Sequence, residues 1–551
     1  MPPAAADDRA QSTRAQYDLV IRSGSVVDGT RFPKFVADVG VKNGKVAKVG
    51  RIEPGLGAKE IDATGFIVAP GFIDLHTHYD AQVHWDPYCS GSGWHGFTTV
   101  GMGNCGFGFA PCKAEDRERA MLMMENTEQV PLKSMRAALP WTWETFPDWM
   151  AHLRQIPKGI NMLMFMPMNP LLIYVMGVKA AKSRPATSAE RAEMRRLLHE
   201  AMDAGACGFA FSNLGDVNLH RDFDGSPMPS DTMDFEEAVN LASVLRERDE
   251  GFIQIQAENT ESQKEARRRE EELARISGRP ILHNIVQPID FVPDFHRSAI
   301  RWIEEMHAKG LQIFGQGVTN RFWVEFTMHE TNLWDGIPTF RRFSVASESE
   351  KMQLLRDAAW VAEARTCNND RSVMYSGVGP LDTLRLKRAN SNAHWARYEG
   401  CTIGEIAKSE QCDAIDVFCD IVHSSALKAI LVTPSVPSTD PDLMMEALGH
   451  PLVLPGSSDG GAHVKFFSGA GYSTDLLGWL VRDEKKISLE EFHYRMSTFQ
   501  ARVAGITDRG TIEEGMAADI VVYDLEKIAH KLFDYEFARD LPGDEWRLVD
   551  R

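Results

Sequence analysis

Phe66-Ile67-Val68-Ala69-Pro70-Gly71-Phe72-Ile73-Asp74-Leu75-His76-Thr77-His78 is the stretch on which the reading of this chain turns. An apolar run climbs to a Pro-Gly kink, resumes, and ends on two histidines one residue apart. In a strand, residues i and i+2 point to the same face. The run therefore predicts a buried strand that aims His76 and His78 at one point, as a divalent metal site needs. A His-x-His pair by itself is as often two ordinary side chains. Here it closes a buried-type strand and precedes the loop Ser90-Gly91-Ser92-Gly93, and that context favours a metal. A second apolar run, Thr98-Thr99-Val100-Gly101-Met102-Gly103, ends at Asn104-Cys105-Gly106 and would bring a thiol to the same end of a parallel sheet.

Outward from this stretch, the middle of the chain offers eight strand candidates: residues 66–78, 98–105, 160–168, 206–211, 252–257, 280–286, 311–315 and 452–457. Helical patterns separate most of them, for example 188–204, where Ser188 offers an N-cap and Leu197, Leu198 and Met202 share a face. Alternating strand and helix over this length predicts an α/β fold, a (β/α)8 TIM-type barrel. Residues 162–168 alternate methionine with Leu163, Phe165 and Pro167, which reads as a buried strand and not as a pocket wall.

Short strand-like runs follow Tyr17, with Asn43-Gly44 as a hairpin signal, and a matching run spans Gly510 to Asp524. They predict a small β-sandwich built from both termini. The expected domains are 1–65 for the N-terminal part of that sandwich, 66–495 for the barrel, and 496–551 for the end of the barrel, the rest of the sandwich and a tail. Residues 1–15 are polar and Ala-rich and read as mobile. Two insertions interrupt the barrel, 107–159 with Trp141, Trp143 and Trp149, and a lid over about 316–451. The lid carries Phe322, Trp323, Phe326, Trp334 and Phe340, which either present an apolar face to substrate or form the lid's own core.

The composition is that of an ordinary globular protein, with 43% hydrophobic and 25% charged residues and a net charge of −18. An acidic surface argues against a nucleic-acid partner. No apolar run approaches the ~20 residues of a membrane span. The eight cysteines form no disulfide-like framework, and with no secretory h-region at the N-terminus the expected setting is the cytoplasm. A homo-oligomer stays open.

Metal-ligand residues recur where strands end. His76 and His78 close the first, Cys105 follows the second, His283 sits in the sixth, and Asp459 follows the eighth within Ser457-Ser458-Asp459-Gly460-Gly461-Ala462-His463. Strand ends of a barrel converge on one face.

Ala-Pro-Gly-Phe-Ile-Asp-Leu-His-Thr-His resembles the first barrel strand of the amidohydrolase superfamily. His78-Tyr79-Asp80-Ala81-Gln82, Trp85-Asp86-Pro87 and Met102-Gly103-Asn104-Cys105-Gly106-Phe107 resemble its D-aminoacylase (N-acyl-D-amino-acid deacylase) branch. The resemblance implies that His76, His78, Cys105, His283 and Asp459 are metal ligands for Zn2+, one ion or two, or another divalent metal. It implies that Asp459 takes a proton from water as it attacks an amide carbonyl and passes it to the leaving nitrogen, with His283 or His463 assisting. The implied substrate is a small-molecule amide, with an apolar part if the lid rings face it.

Three departures qualify this. The branch expects a histidine at the end of strand five, where this chain has Gln256, a poorer zinc ligand. The segment Gly208–Asn213 has no lysine to bridge two metals, and Asn284-Ile285-Val286 offers no cation for a substrate carboxylate. His220 and Arg221 are candidate replacements, against an ordinary solvated loop. The reading is a hydrolase of non-peptide C–N bonds, an N-acyl-amino-acid or N-acyl-amine deacylase. The alternatives are a cyclic-amide or lipophilic-amide hydrolase and a non-catalytic barrel kept for binding or assembly.

Overall fold

The computed structural model describes residues 15–550 except 216–217, 257–262, 291, 293, 330, 375–377, 391, 464–468 and 530–534. The expectations for residues 1–14 and for residue 257 lie outside the described residues. The chain divides into two compact units, one formed by the N-terminal residues up to Ile73 with Val481–Ile528, the other by Asp74–Leu480 with the segment from Ala529 onward. Their boundaries fall at Ile73 and Val481 instead of at residues 65 and 496.

In the smaller unit both ends of the chain share a sheet. Ile520–Tyr523 pairs antiparallel with Ile67–Pro70, which lies parallel to Tyr17–Val26, followed by Phe35–Lys42 and Lys45–Gly50. Asn43 and Gly44 both take positive φ, 51° and 71°, as a two-residue hairpin turn requires. Alternation along Tyr17–Val26 feeds two apolar clusters. Ile21 and Val26 meet Val39, Val46, Val68 and Ile512, while Tyr17 and Val20 meet Ile52.

The strand expected over 66–78 is two strands. Pro70 cannot donate to a ladder, and the chain leaves the smaller unit's sheet there. It resumes as β1 (Phe72–Asp74), which pairs with β2 (Phe97–Met102) and then β3 (Asn161–Met164, continued by Met166–Pro167). The second half of β3 pairs with β4 (Gly208–Ser212), followed in order by β5 (Phe252–Gln256), β6 (Ile281–Val286), β7 (Ile313–Val318) and β8 (Val453–Gly456), all parallel. Past β8, Gly460 forms a parallel bridge with Thr77, just past β1. The hydrogen-bonded order thus returns to where it began.

Helices Ser188–Asp203, Glu236–Arg248, Gln263–Ser277, Asp294–Ala308 and Pro441–Leu448 separate β3 to β8. The first is capped by Thr187, not Ser188. Thr187 Oγ1 accepts from Glu190 N–H while the Glu190 carboxylate accepts from Thr187 N–H, a reciprocal box that fixes the start one residue earlier.

The long insertion between β7 and β8 has its own core. Phe326, Trp334, Phe340, Phe343, Trp360 and Phe418 pack together, with Phe322 against them, beside a small sheet of Glu325–Phe326, Ile430–Val432 and Arg385–Arg388. Of the two uses open to these rings, packing on one another is the one observed for Phe322, Phe326, Trp334 and Phe340, while Trp323 lies outside that cluster and packs against Tyr535. No helix among the described residues is long and apolar enough to cross a membrane. None of the eight cysteines is in a disulfide.

Candidate metal centre

The site is built where β1, β2 and β8 end. Thr77 donates its backbone N–H and its hydroxyl to the carbonyl of Gly101, at 3.0 and 2.7 Å. His78 N–H donates to Gly460 O at 2.8 Å. This pins the strand end between its two neighbours, so His76 and His78, flanking Thr77, point together to the side that Thr77 does not. Both rings are buried. Asp74 Oδ1 accepts the backbone N–H of His76 at 3.0 Å.

Cys105 comes to the same point on a tight turn. Asn104 Nδ2 donates to Thr77 O and Gly101 O, at 3.2 and 2.9 Å, and Cys105 N–H donates to Gln254 Oε1 at 2.7 Å. Cys105 takes a left-handed φ of 56° and Asp459 one of 51°. Such conformations cost a side-chain-bearing residue energy and collect at functional sites.

The donor atoms converge. Cys105 Sγ is 3.5 Å from His76 Nε2. Asp459 Oδ1 is 3.3 Å from His76 Nε2 and 3.6 Å from His78 Nε2. His76, His78 and Cys105 offer ligand atoms all within 4.8 Å of one another. Asp459 is the most open member, 32% exposed against 3% and 2% for the two histidines.

Charge follows geometry. Burial alone would lower the His76 and His78 pKa values, but Cys105 and Asp459 beside His76, and Glu128 and Asp459 beside His78, reverse this. His76 rises to about 9 and His78 stands well above the ordinary imidazole value. Burial would raise the Cys105 thiol, yet the two imidazoles bring it down to about 7. Burial likewise opposes ionisation of Asp459, and the histidines around it hold it well below the usual carboxylate range. This pocket sets two imidazoliums around a thiolate and a carboxylate, a balance in which a bound cation would take the place of the ring protons.

His76 is oriented from behind. Gln316 Oε1, an acceptor, lies 3.1 Å from its Nδ1 and takes the proton there, so Nε2 is the ring nitrogen turned to Cys105 and Asp459. The Asn284 amide lies 3.3 Å from the same nitrogen and 3.4 Å from Gln316 Oε1. In register, Gln256, Asn284 and Gln316 are neighbours across β5, β6 and β7. Gln256 itself accepts from the Ser212 hydroxyl at 3.2 Å.

His283, expected among the ligands, is not brought to this group. It pairs with Ile255 and Gly315, one residue out of phase with Asn284, and so faces the other side of the sheet. There its Nδ1 is 3.0 Å from both oxygens of Glu270, on helix Gln263–Ser277, and its ring meets Trp302 edge-on at 5.2 Å.

The loop at His220 and Arg221 is not a solvated one. Arg221 is fully buried and donates Nε–H to Asn218 O at 3.0 Å. His220 offers a ligand atom within 4.8 Å of those of Glu128 and His463. Glu128 was not singled out in the sequence, yet it is fully buried, with Oε2 3.8 Å from His78 Nε2 and 3.6 Å from His463 Nε2. The signal for it is its place on helix Arg117–Glu128. It continues the stripe of Met121 and Met124, so a carboxylate occupies an apolar face.

The family model described as "Amidohydrolase family" matches residues 59–536. An uncharacterized protein of Mycobacterium tuberculosis is 28% identical over 97% of this chain and 89% of its own length. The N-acyl-D-glutamate deacylase of Alcaligenes xylosoxydans xylosoxydans is 24% identical, over 94% of this chain and 89% of that one. The crystal structure of N-acyl-D-glutamate deacylase from Bordetella bronchiseptica, complexed with zinc and a phosphonate inhibitor, superposes with a TM-score of 0.64 at 21% identity. It covers 97% of this chain and 94% of that one.

Proposed function

The chain belongs to the amidohydrolase family, on its D-aminoacylase branch, and from its metal-ligand cluster we propose a metal-dependent hydrolase that cleaves the amide of an N-acyl amino acid or N-acyl amine. The observation that carries this is the spacing of the donors. Ligand atoms about 2.0–2.3 Å from a tetrahedral zinc lie about 3.3–3.6 Å from one another. The contacts of Cys105 Sγ and Asp459 Oδ1 with His76 Nε2, and of Asp459 Oδ1 with His78 Nε2, are 3.5, 3.3 and 3.6 Å. Zinc accompanies the Bordetella relative, and this donor set of two imidazoles, a thiolate and a carboxylate suits the same ion.

We assign the frame as a closed (β/α)8 barrel, on the strand order that returns through the Thr77–Gly460 bridge, with a β-sandwich domain from the two termini. Eight unpaired thiols suit a reducing, cytoplasmic setting.

His76, His78, Cys105 and Asp459 would hold the ion. When bound, such an ion lowers the pKa of water to about 7 and polarises a carbonyl oxygen. Gln316 keeps the His76 proton on Nδ1, so Nε2 stays available. Asp459, the most open of the group, accepts a proton from the attacking water at its carboxylate and gives it to the leaving nitrogen, since an amine anion leaves too slowly unaided. His463, whose Nε2 faces Glu128 at 3.6 Å, takes no step in this scheme. His283 has no part in these steps. Asn284, Ile285 and Val286 carry no charge, so these positions offer a substrate carboxylate no cation.

The test is a hydrolysis screen over N-acyl-D- and N-acyl-L-amino acids, N-acyl amines and cyclic amides, with and without chelator. At least one class should be cleaved and chelation should stop it. Asp459→Asn should keep its fold and lose about 10²–10⁴ in kcat. No cleavage in any class, or full activity in that variant, would overturn the proposal and favour a barrel kept for binding.

A further inference from the structure

Beyond the first cluster stands a second group of donors, held entirely on loops and on the end of a helix. Glu128 is the last residue of helix Arg117–Glu128, His220 follows β4, and His463 follows β8. One ligand atom from each lies within 4.8 Å of the other two. None of the three stands at the strand-five or strand-six positions, which here carry Gln256 and Asn284.

Glu128 carries acceptor capacity that no donor fills. Its side chain has no exposed surface, and neither carboxylate oxygen has a hydrogen-bond partner. The nearest cationic candidates, His78 Nε2 and His463 Nε2, stand 3.8 and 3.6 Å away, beyond hydrogen-bond length. Ion pairing at those distances leaves its lone pairs unfilled, and a buried ionised carboxylate without hydrogen bonds is costly by several kcal/mol. It also sits at the C-terminal end of its helix, where the backbone dipole repels negative charge. The Nδ1 of His220 is likewise buried without a partner. His463 is held in place by its backbone N–H, which donates to Glu128 O at 2.5 Å, in a left-handed conformation with φ 50°.

We propose that Glu128, His220 and His463 form a second divalent-cation site, distinct in its residues from the His76–His78–Cys105–Asp459 cluster and beside it. Two imidazoles and one carboxylate suit zinc, cobalt or nickel and leave a coordination position open to water or substrate. The Glu128 carboxylate lies between the sites, since the same Oε2 faces His78 and His463. The site stands whether or not the first cluster catalyses amide hydrolysis.

Metal-stripped full-length protein is dialysed against Co2+ or Zn2+ and its content measured by elemental analysis, with Co2+ absorption as a second readout. Wild type should take up two equivalents. One should show a thiolate-to-cobalt charge-transfer band, and the other should lack it because its donors are only nitrogen and oxygen. His220→Ala and Glu128→Gln should each lose one equivalent and keep the thiolate band. Cys105→Ala should lose the band and keep the equivalent that His220→Ala removes. Circular dichroism and Tm confirm the fold of each variant, and His220→Ala, a loop truncation, serves if Glu128→Gln does not fold. One equivalent in wild type, unaffected by His220→Ala, would overturn the second site and leave the first standing. Two equivalents that both persist in folded His220→Ala and Glu128→Gln would overturn it as well.

Discussion

At the scale of single residues, a ligand's usefulness is decided by the group behind it. His76 reaches the cluster as the right tautomer because Gln316 Oε1 takes its Nδ1 proton at 3.1 Å. Removing a partner of this kind usually costs 10- to 100-fold in metal affinity. Gln316→Leu should therefore weaken metal binding by about that factor with His76, His78 and Cys105 all in place, measured by competition with a chromophoric chelator. Wild-type affinity in that variant would mean the imidazole is oriented by packing alone. His76, His78, Cys105 and Asp459 were legible because each ends or follows an apolar run. His283 misled for a reason of parity. A histidine inside a strand points to the mouth or to the helices according to a one-residue phase, and nothing within 280–286 fixes that phase. Only pairing with its neighbours places Asn284 with Gln316 and sends His283 to Glu270.

At the scale of elements, the strands supply direction and the turns after them supply the bend. Cys105, Asp459 and His463 all hold left-handed φ, and Gly461 between the last two has φ +90°. A Cβ on Gly461 would come within 2.8 Å of His78 O and of the Tyr79 backbone nitrogen. Tyr79 Cδ1 stands at 2.8 Å as well, and the two backbone atoms cannot swing aside as a side chain could. Gly461→Ala should cost about 1–3 kcal/mol of stability and, because it pushes on the His78 strand end, should reduce metal content as well. Thermal unfolding with metal analysis of the same sample decides it. Unchanged Tm and metal content would show that the turn relaxes freely. Strand count, helix positions and the long insertion were readable from apolar periodicity. The use of the insertion's aromatic rings was not, because a ring in a core and a ring facing substrate have the same local pattern. Trp334, Phe340 and Trp360 are told apart from pocket residues only by their contacts with one another. Glu128 was hidden in the same way, inside an insertion with little strand signal, though its place among Met121, Met123 and Met124 marked it as a charge on an apolar face.

At the scale of the whole molecule, each of the two units carries a buried titrating group, and the two groups act in opposite senses with pH. In the smaller unit His493 is fully buried, donates or accepts at Nε2 with the Tyr523 hydroxyl at 2.7 Å, and stacks on Phe72 at 5.3 Å. Burial lowers its pKa to about 3. Between the unfolded value near 6.5 and that folded value, the unfolded chain binds a proton that the native one does not. Stability contributed here is complete above about pH 6.5 and is lost as pH falls, at about 1.4 kcal/mol per unit. In the larger unit Asp335 is 1% exposed, and burial raises its carboxyl to about 7. Between the unfolded value near 3.8 and that folded value, the native state holds the extra proton. Its contribution is therefore complete in acid and is lost as pH rises to about 7, with the same slope. Calorimetric scans from pH 4 to 8 should show this by difference. His493→Gln should gain on wild type as pH falls below about 6.5. Asp335→Asn, neutral at every pH, should gain on wild type as pH rises from about 4 to 7. Curves that stay parallel to wild type in both variants would mean that neither group keeps its buried charge state through unfolding. The strand-like runs at both ends were legible in the sequence. These titrating groups were not, since the letters His and Asp carry no sign of the dielectric around them until the core that buries them is assembled.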